Sequence, residues 1–123
     1  MNSVQYLHAT PIEDRAIREI VALAMDAPAK AKSGHPGTAM ALAPLAVTLF
    51  SRVMRHNPTE PTWIDRDRFI LSCGHASILQ YGIVRTFGYG LSRDDLMEFR
   101  QPHSRTPGHP EVRVTPTVEV TTG

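Results

Sequence analysis

The sequence predicts an α/β fold, mostly helical, to which this chain supplies one or two strands of a parallel sheet. Three observations carry the prediction. Apolar residues recur at spacings of three and four in several stretches, the stripe of an amphipathic helix. One short apolar run, residues 68–72, reads as a buried strand and leads at once into a turn and another helix. A single strand has nothing to pair with, so the chain is expected to be the front part of a larger α/β domain. Its 123 residues make one domain at most, and a 41% hydrophobic, 20% charged composition is that of a globular piece.

Taken in order, residues 1–10 read as a leader and residues 11–123 as the domain. Thr10-Pro11-Ile12-Glu13 carries a helix start: Thr10 caps, Pro11 suits the first position, and Glu13 completes a capping box. Ile17, Ile20, Val21 and Ala24 form its apolar stripe, and the helix is expected to run to about Lys32 despite Pro28. Gly34-His35-Pro36-Gly37 follows as a rigid turn. A second helix is expected to begin near Pro44, with residues 38–43 as an irregular approach and Leu45, Leu49, Phe50 and Val53 as its buried face. A loop through Pro58 and Pro61 precedes the strand at 68–72. Asp65, Arg66, Asp67 and Arg68 read as surface ion pairs before it. The third helix is expected at 76–87 and a short fourth, capped by Ser92, at 93–100. Residues 101–123 show no clear periodicity and hold four prolines; Val118 and Val120 are candidates for a second short strand.

Charge excludes some functions. Net charge is +1 without a basic block, so binding of nucleic acid by bulk charge is not expected. No run is apolar enough for a membrane span, and the first ten residues lack the basic start and apolar core of a signal peptide. The lone Cys73 excludes an intrachain disulfide and a cysteine-rich zinc site, which fits a reducing, cytoplasmic setting.

Three histidines sit beside glycines. Ser33-Gly34-His35-Pro36-Gly37 holds an imidazole next to a helix end; a helix C-cap followed by a tight turn accounts for the same residues equally well. Ser72-Cys73-Gly74-His75-Ala76-Ser77 lies at the carboxyl end of the expected strand and the start of a helix, where α/β sheets bind ligands and helix amides favour phosphate. Ser104-Arg105-Thr106-Pro107-Gly108-His109-Pro110-Glu111 brackets a third imidazole with prolines, a pattern that an ordinary loop also produces. The intervals among these histidines match no compact zinc spacing, so they are not read as metal ligands. His8, His56, His103, Trp63 and Tyr81 are read as structural or exposed.

Together these residues resemble transketolase. The resemblance rests on Ala31-Lys32-Ser33-Gly34-His35-Pro36-Gly37, on Asp67-Arg68-Phe69-Ile70-Leu71-Ser72 with Gly74-His75, and on Arg100-Gln101 with Arg105-Thr106-Pro107-Gly108-His109-Pro110-Glu111. Val118-Glu119-Val120-Thr121-Thr122-Gly123 completes it, and all four stand in the family's order. The resemblance covers the chain from about Ile12 onward. It implies the front part of a thiamine diphosphate-binding fold, truncated at its C-terminal end, with thiamine diphosphate and a magnesium ion as cofactors. It implies transfer of a two-carbon ketol unit from a ketose phosphate to an aldose phosphate, in the pentose phosphate pathway, by a homodimer. By the same resemblance His35 and His109 are catalytic and contact substrate, Arg100 contacts substrate, and His75 and Gly123 bind cofactor. The metal ligands and the glutamate that activates the cofactor belong to parts of the family absent from this sequence, so this chain alone is expected to be inactive. Cys73 stands where the family commonly has Asn, and Thr117 where it commonly has Gly. A related thiamine enzyme, such as dihydroxyacetone synthase or a split transketolase subunit, and a non-catalytic binding module remain the alternatives.

Overall fold

The computed structural model describes residues 8–123. Most of the leader read at 1–10 therefore lies outside the described residues. Four α-helices form the body: α1 (Pro11–Ala31), α2 (Pro36–Thr48), α3 (Ser77–Thr86) and α4 (Arg93–Met97). A π-helical turn, Leu49–Val53, extends α2, and a 3-10 turn, Gly74–Ala76, leads into α3.

Helix α1 starts where its capping box dictates. The Glu13 amide donates to Thr10 Oγ1 at 3.4 Å, and Thr10's own amide donates to Glu13 Oε2 at 2.8 Å. It ends at Ala31 because Lys32 turns left-handed, at φ 53°, and its amide returns to the Ala29 carbonyl. Pro28 lies inside the helix and is buried.

The second helix departs from expectation. It begins at Pro36, so residues 38–43 are helical and Pro44 is interior. Pro36 takes the first position, where proline's fixed φ helps and its missing N–H costs nothing. Pro44 removes one ladder bond; one turn later the Thr48 hydroxyl donates to the Pro44 carbonyl at 2.8 Å. Of the face expected, Phe50 packs against the core, but Leu45 and Val53 do not. Ala39, Ala43, Ala46 and Val47 point inward, while Leu45 is 56% and Val53 63% exposed. Small side chains let α2 lie close against α1 and α3.

Helix α3 is the centre of the fold. Residues 77–84 are all buried, the condition of a helix surrounded on every side. Ile78, Leu79, Ile83 and Val84 each contribute about 1.5–3 kcal/mol by leaving water. At Gly82 an added Cβ would stand 3.2 Å from Ile20 Cγ2, which shows how near α1 and α3 come. Ile20, Leu23, Ala24 and Ala27 of α1 complete that face, and Leu96 and Phe99 close the other end. Ser92 caps α4 with Asp95 as its box partner, but the helix stops at Met97 rather than running to 100. The chain turns there: Arg100 adopts φ 62°, and its amide donates to the Thr106 carbonyl at 3.0 Å.

No strand forms among the described residues. The parallel strands expected at 68–72 and around Val118 and Val120 are therefore corrected to irregular chain outside any ladder, with bends at Ser72 and Val120. The apolar pattern at 68–72 is real, since Leu71 is buried and Ile70 is 52% exposed, but a ladder requires a neighbouring strand. The acidic and basic residues before it do not pair with one another as expected. Arg66 grips Glu119, 53 residues away, with Nε and Nη2 each 3.0 Å from a carboxylate oxygen. Asp67 Oδ2 accepts from the Arg55 amide at 2.7 Å, and Arg68 donates to the carbonyls of Arg66 and Ile64. His56 donates from Nε2 to the Phe50 carbonyl at 2.7 Å, so its Nδ1 accepts from the Tyr89 hydroxyl.

The aperiodic residues 101–123 are held by hydroxyl groups. Ser77 Oγ donates to the Gly108 carbonyl at 2.7 Å and Tyr81 Oη to the Pro107 carbonyl at 2.6 Å. Thr106 Oγ1 donates to Asp95 at 2.7 Å, Thr115 Oγ1 to Arg105 at 2.6 Å, and Thr122 Oγ1 to Leu71 at 2.6 Å, each at the main-chain oxygen. Each such bond is worth about 1 kcal/mol net, and more if its loss leaves a buried carbonyl unpaired.

Candidate active site

Two of these bonds tie the third glycine–histidine turn to the helix that follows the second. His35 occupies the cap position before α2 and is exposed. The glycine before it is required twice over. Gly34 has φ +130°, and a Cβ there would stand 2.8 Å from Phe99 Cε1 and 3.0 Å from Pro28 Cβ. Gly37, on the other side, has open space around it and is simply part of the first turn of α2.

His75 lies in the 3-10 turn ahead of α3, and its ring meets that of His35 edge to face with centroids 5.1 Å apart and planes at 76°. Residues 40 positions apart are thus brought into contact. Gly74 is buried because the chain at Thr122 and Gly123 crosses it. A Cβ at Gly74 would lie 2.7 Å from the Thr122 carbonyl carbon and oxygen and 2.8 Å from the Gly123 amide nitrogen. The Gly123 backbone therefore sits directly against the turn that carries His75.

His109 is exposed, and the backbone on both sides of it is tied to the same region. Gly108 is held by Ser77, two residues beyond His75, and the Pro110 carbonyl accepts from the Thr122 amide at 3.2 Å. Pro107 is held by Tyr81, whose hydroxyl is pushed well above the ordinary phenol range by burial. Arg100 joins the first and third turns. Its Nη1 donates to Ser33 Oγ at 2.9 Å, and its Nε lies 3.2 Å from where a Cβ on Gly108 would stand. The guanidinium also lies over the Phe99 ring, 5.5 Å from its centroid.

Ser33, Ser77, Tyr81 and Thr122 were not anticipated as part of this arrangement. Ser77 and Thr122 belong to motifs already singled out, but nothing in the local pattern says that a hydroxyl will reach a carbonyl 31 or 51 residues away. Among the described residues no three His, Cys, Asp or Glu side chains gather closely enough to hold a metal ion. No described helix is long and apolar enough to cross a membrane.

Comparison with known proteins gives this arrangement a context. Residues 12–123 match the family described as transketolase, thiamine diphosphate binding domain. A transketolase of Geobacillus stearothermophilus is 55% identical over 115 residues, covering 94% of this chain and 17% of the relative. Transketolase 2 of Escherichia coli is 58% identical over 104 residues, covering 85% of this chain and 16% of the relative. Among solved structures, a Pichia stipitis transketolase in complex with sedoheptulose 7-phosphate superimposes with a TM-score of 0.88 at 50% identity, covering 93% of this chain and 17% of that one. The chain thus spans about a sixth of the length of these relatives. With a match across nearly its whole length, the chain belongs to the transketolase thiamine diphosphate-binding domain family.

Proposed function

We propose that this chain forms the histidine-bearing wall of a transketolase site, which moves a two-carbon ketol unit from a ketose phosphate to an aldose phosphate. The observation that carries the reading is the contact of His35 with His75 beside the crossing of Gly74 by Thr122 and Gly123. The sugar phosphate class is supported by the sedoheptulose 7-phosphate complex of the Pichia stipitis relative.

The residues suit a diphosphate. Gly74, having no side chain, lets the Thr122–Gly123 main chain lie against the turn that carries His75, and that 3-10 turn stands at the amino-terminal entrance to α3, where helices favour phosphate. In this reading His75 and the Gly123 backbone hold the cofactor's diphosphate end. When bound, thiamine diphosphate supplies the electron sink that ketol transfer needs. His35 and His109 hydrogen-bond the sugar's oxygens and hold or move protons there, a task imidazole performs well near neutral pH. Arg100, anchored through Ser33, faces the substrate with the free N–H groups of its terminal nitrogens and keeps the His35 and His109 turns in register. We place the ligands of the magnesium ion outside this chain, and assign catalysis to a larger homodimeric, cytoplasmic enzyme of the pentose phosphate pathway. Residues 12–123 by themselves are then a partial site without turnover.

A chimera tests the proposal. Residues 12–123 replace the matching segment of the Geobacillus stearothermophilus transketolase, and ketol transfer between pentose phosphates is followed. The expected result is an active chimera in which His109→Ala or His35→Ala lowers kcat about 100- to 10,000-fold, the usual weight of a proton-transferring group. A folded chimera with no activity, or an active one indifferent to both substitutions, refutes it.

A further inference from the structure

A narrow cleft of about 30 Å3 lies among Phe50, Phe69, Arg66, Gln80, Tyr89 and Thr117, away from the glycine–histidine turns. One wall is aromatic and the other polar. Gln80 is 3% exposed, and its Oε1 is buried without a hydrogen bond from any described residue. A buried amide oxygen left unpaired is costly, and the great majority in folded proteins have a partner. A water molecule needs roughly 10–15 Å3 of such space and two to four polar partners, so the cleft has volume for about two or three, while the polar groups that line it suffice for one.

We propose that this cleft is a binding site for one structural water, which donates to Gln80 Oε1 and joins α3 to Tyr89 and Arg66. The donor and acceptor inventory supports it. His56 Nε2 donates to the Phe50 carbonyl, which commits the Tyr89 hydroxyl hydrogen to His56 Nδ1 and leaves the Tyr89 oxygen as an acceptor. The second hydrogen of the water goes to that oxygen. Arg66 spends Nε and Nη2 on Glu119 and Nη1 on the Trp63 carbonyl, which leaves one N–H on each terminal nitrogen. One of these donates to the water oxygen, completing about three bonds, the usual number for a buried water. The Glu119 carboxylate offsets the Arg66 charge, and the cleft is too small for an organic ligand, so a neutral triatomic molecule fits the site best. The water then links α3 to the Arg66/Glu119 pair and, through it, to the segment that ends at Gly123.

Water–protein cross-relaxation on the intact chain tests this, independently of any catalytic role. The expected signal is a water with a residence time beyond the nanosecond range, cross-relaxing with the Gln80 side-chain amide and the Tyr89 ring. Gln80→Met, close in volume and without the acceptor, loses it. Tyr89→Phe, a second variant should Gln80→Met fail to fold, shortens the residence time about tenfold, the weight of one hydrogen bond. Absence of a long-lived water in the unaltered chain, or an unchanged signal in a folded variant, overturns the proposal.

Discussion

Replacing Gly74 by alanine is the sharpest test of how the Gly123 segment is placed. The new methyl group would stand 2.7 Å from the Thr122 carbonyl carbon and oxygen and 2.8 Å from the Gly123 nitrogen. Real contacts of this kind need well over 3 Å, and the obstruction is main chain, so no side-chain rotation relieves it. The segment must lift. Overpacking of this kind costs about 1–3 kcal/mol. Lifting also strains the bond from Thr122 Oγ1 to the Leu71 carbonyl, worth about 1 kcal/mol. The expected loss is about 2–4 kcal/mol, read as a fall in the urea midpoint at constant slope. Gly37→Ala is the matched control. Its methyl group meets nothing within 4 Å and lies in the first turn of α2, so it is expected to be neutral or to stabilise by up to about 1 kcal/mol. Equal stability of the two variants would show that the crossing at Gly74 is looser than described.

Two further outcomes follow from local features. The Arg52 guanidinium, with help from the Thr10 amide, lowers the Glu13 carboxyl to about 2, against an ordinary value of 4.5. Since the folded value is the lower one, the stabilisation from this group is fully present above about pH 4.5 and is lost as pH falls through about 2. A carboxyl titration followed by NMR checks it, and Arg52→Gln is expected to return Glu13 toward the ordinary range. Thr117 holds φ 66°, a conformation that a β-branched residue adopts only under strain. Relief of that strain, about 1–2 kcal/mol, outweighs the entropy cost of glycine, about 0.5–1 kcal/mol, so Thr117→Gly is expected to raise the denaturation midpoint slightly.

The parts of the fold legible in the sequence were those written in adjacent residues. Thr10 with Glu13 and Ser92 with Asp95 fixed two helix starts because a capping box needs only four positions. Pro36 and Pro44 show the limit of that logic. Both are competent at a first helical position, and no local signal says which one takes it. Burial along α2 and the turn beyond it departs from size, because Leu45 and Val53 face outward while Ala39, Ala43 and Ala46 point inward. The run at 68–72 has the composition of a strand, but a strand is a relation between two segments. In the site, His35 and His75 stood out through their glycines, whereas Ser77, Tyr81 and Thr122 act across 26 to 51 residues and leave no trace in their own neighbourhoods.

The fastening of residues 101–123 by hydroxyls has an outcome for how this stretch tolerates change. Apolar anchoring spreads its strength over many methyl groups and lets neighbours compensate for one another. Here, beside the Arg66–Glu119 and Arg105–Asp95 ion pairs, much of the load falls on single oxygens of Ser77, Tyr81, Thr106, Thr115 and Thr122, each with one carbonyl to meet. Exposed positions between them, such as Val112 and Val114, are free to drift in composition. A single O–H exchanged for a methyl group at one of the five unhooks the chain at that point and nowhere else, so damage to this segment arrives in discrete steps.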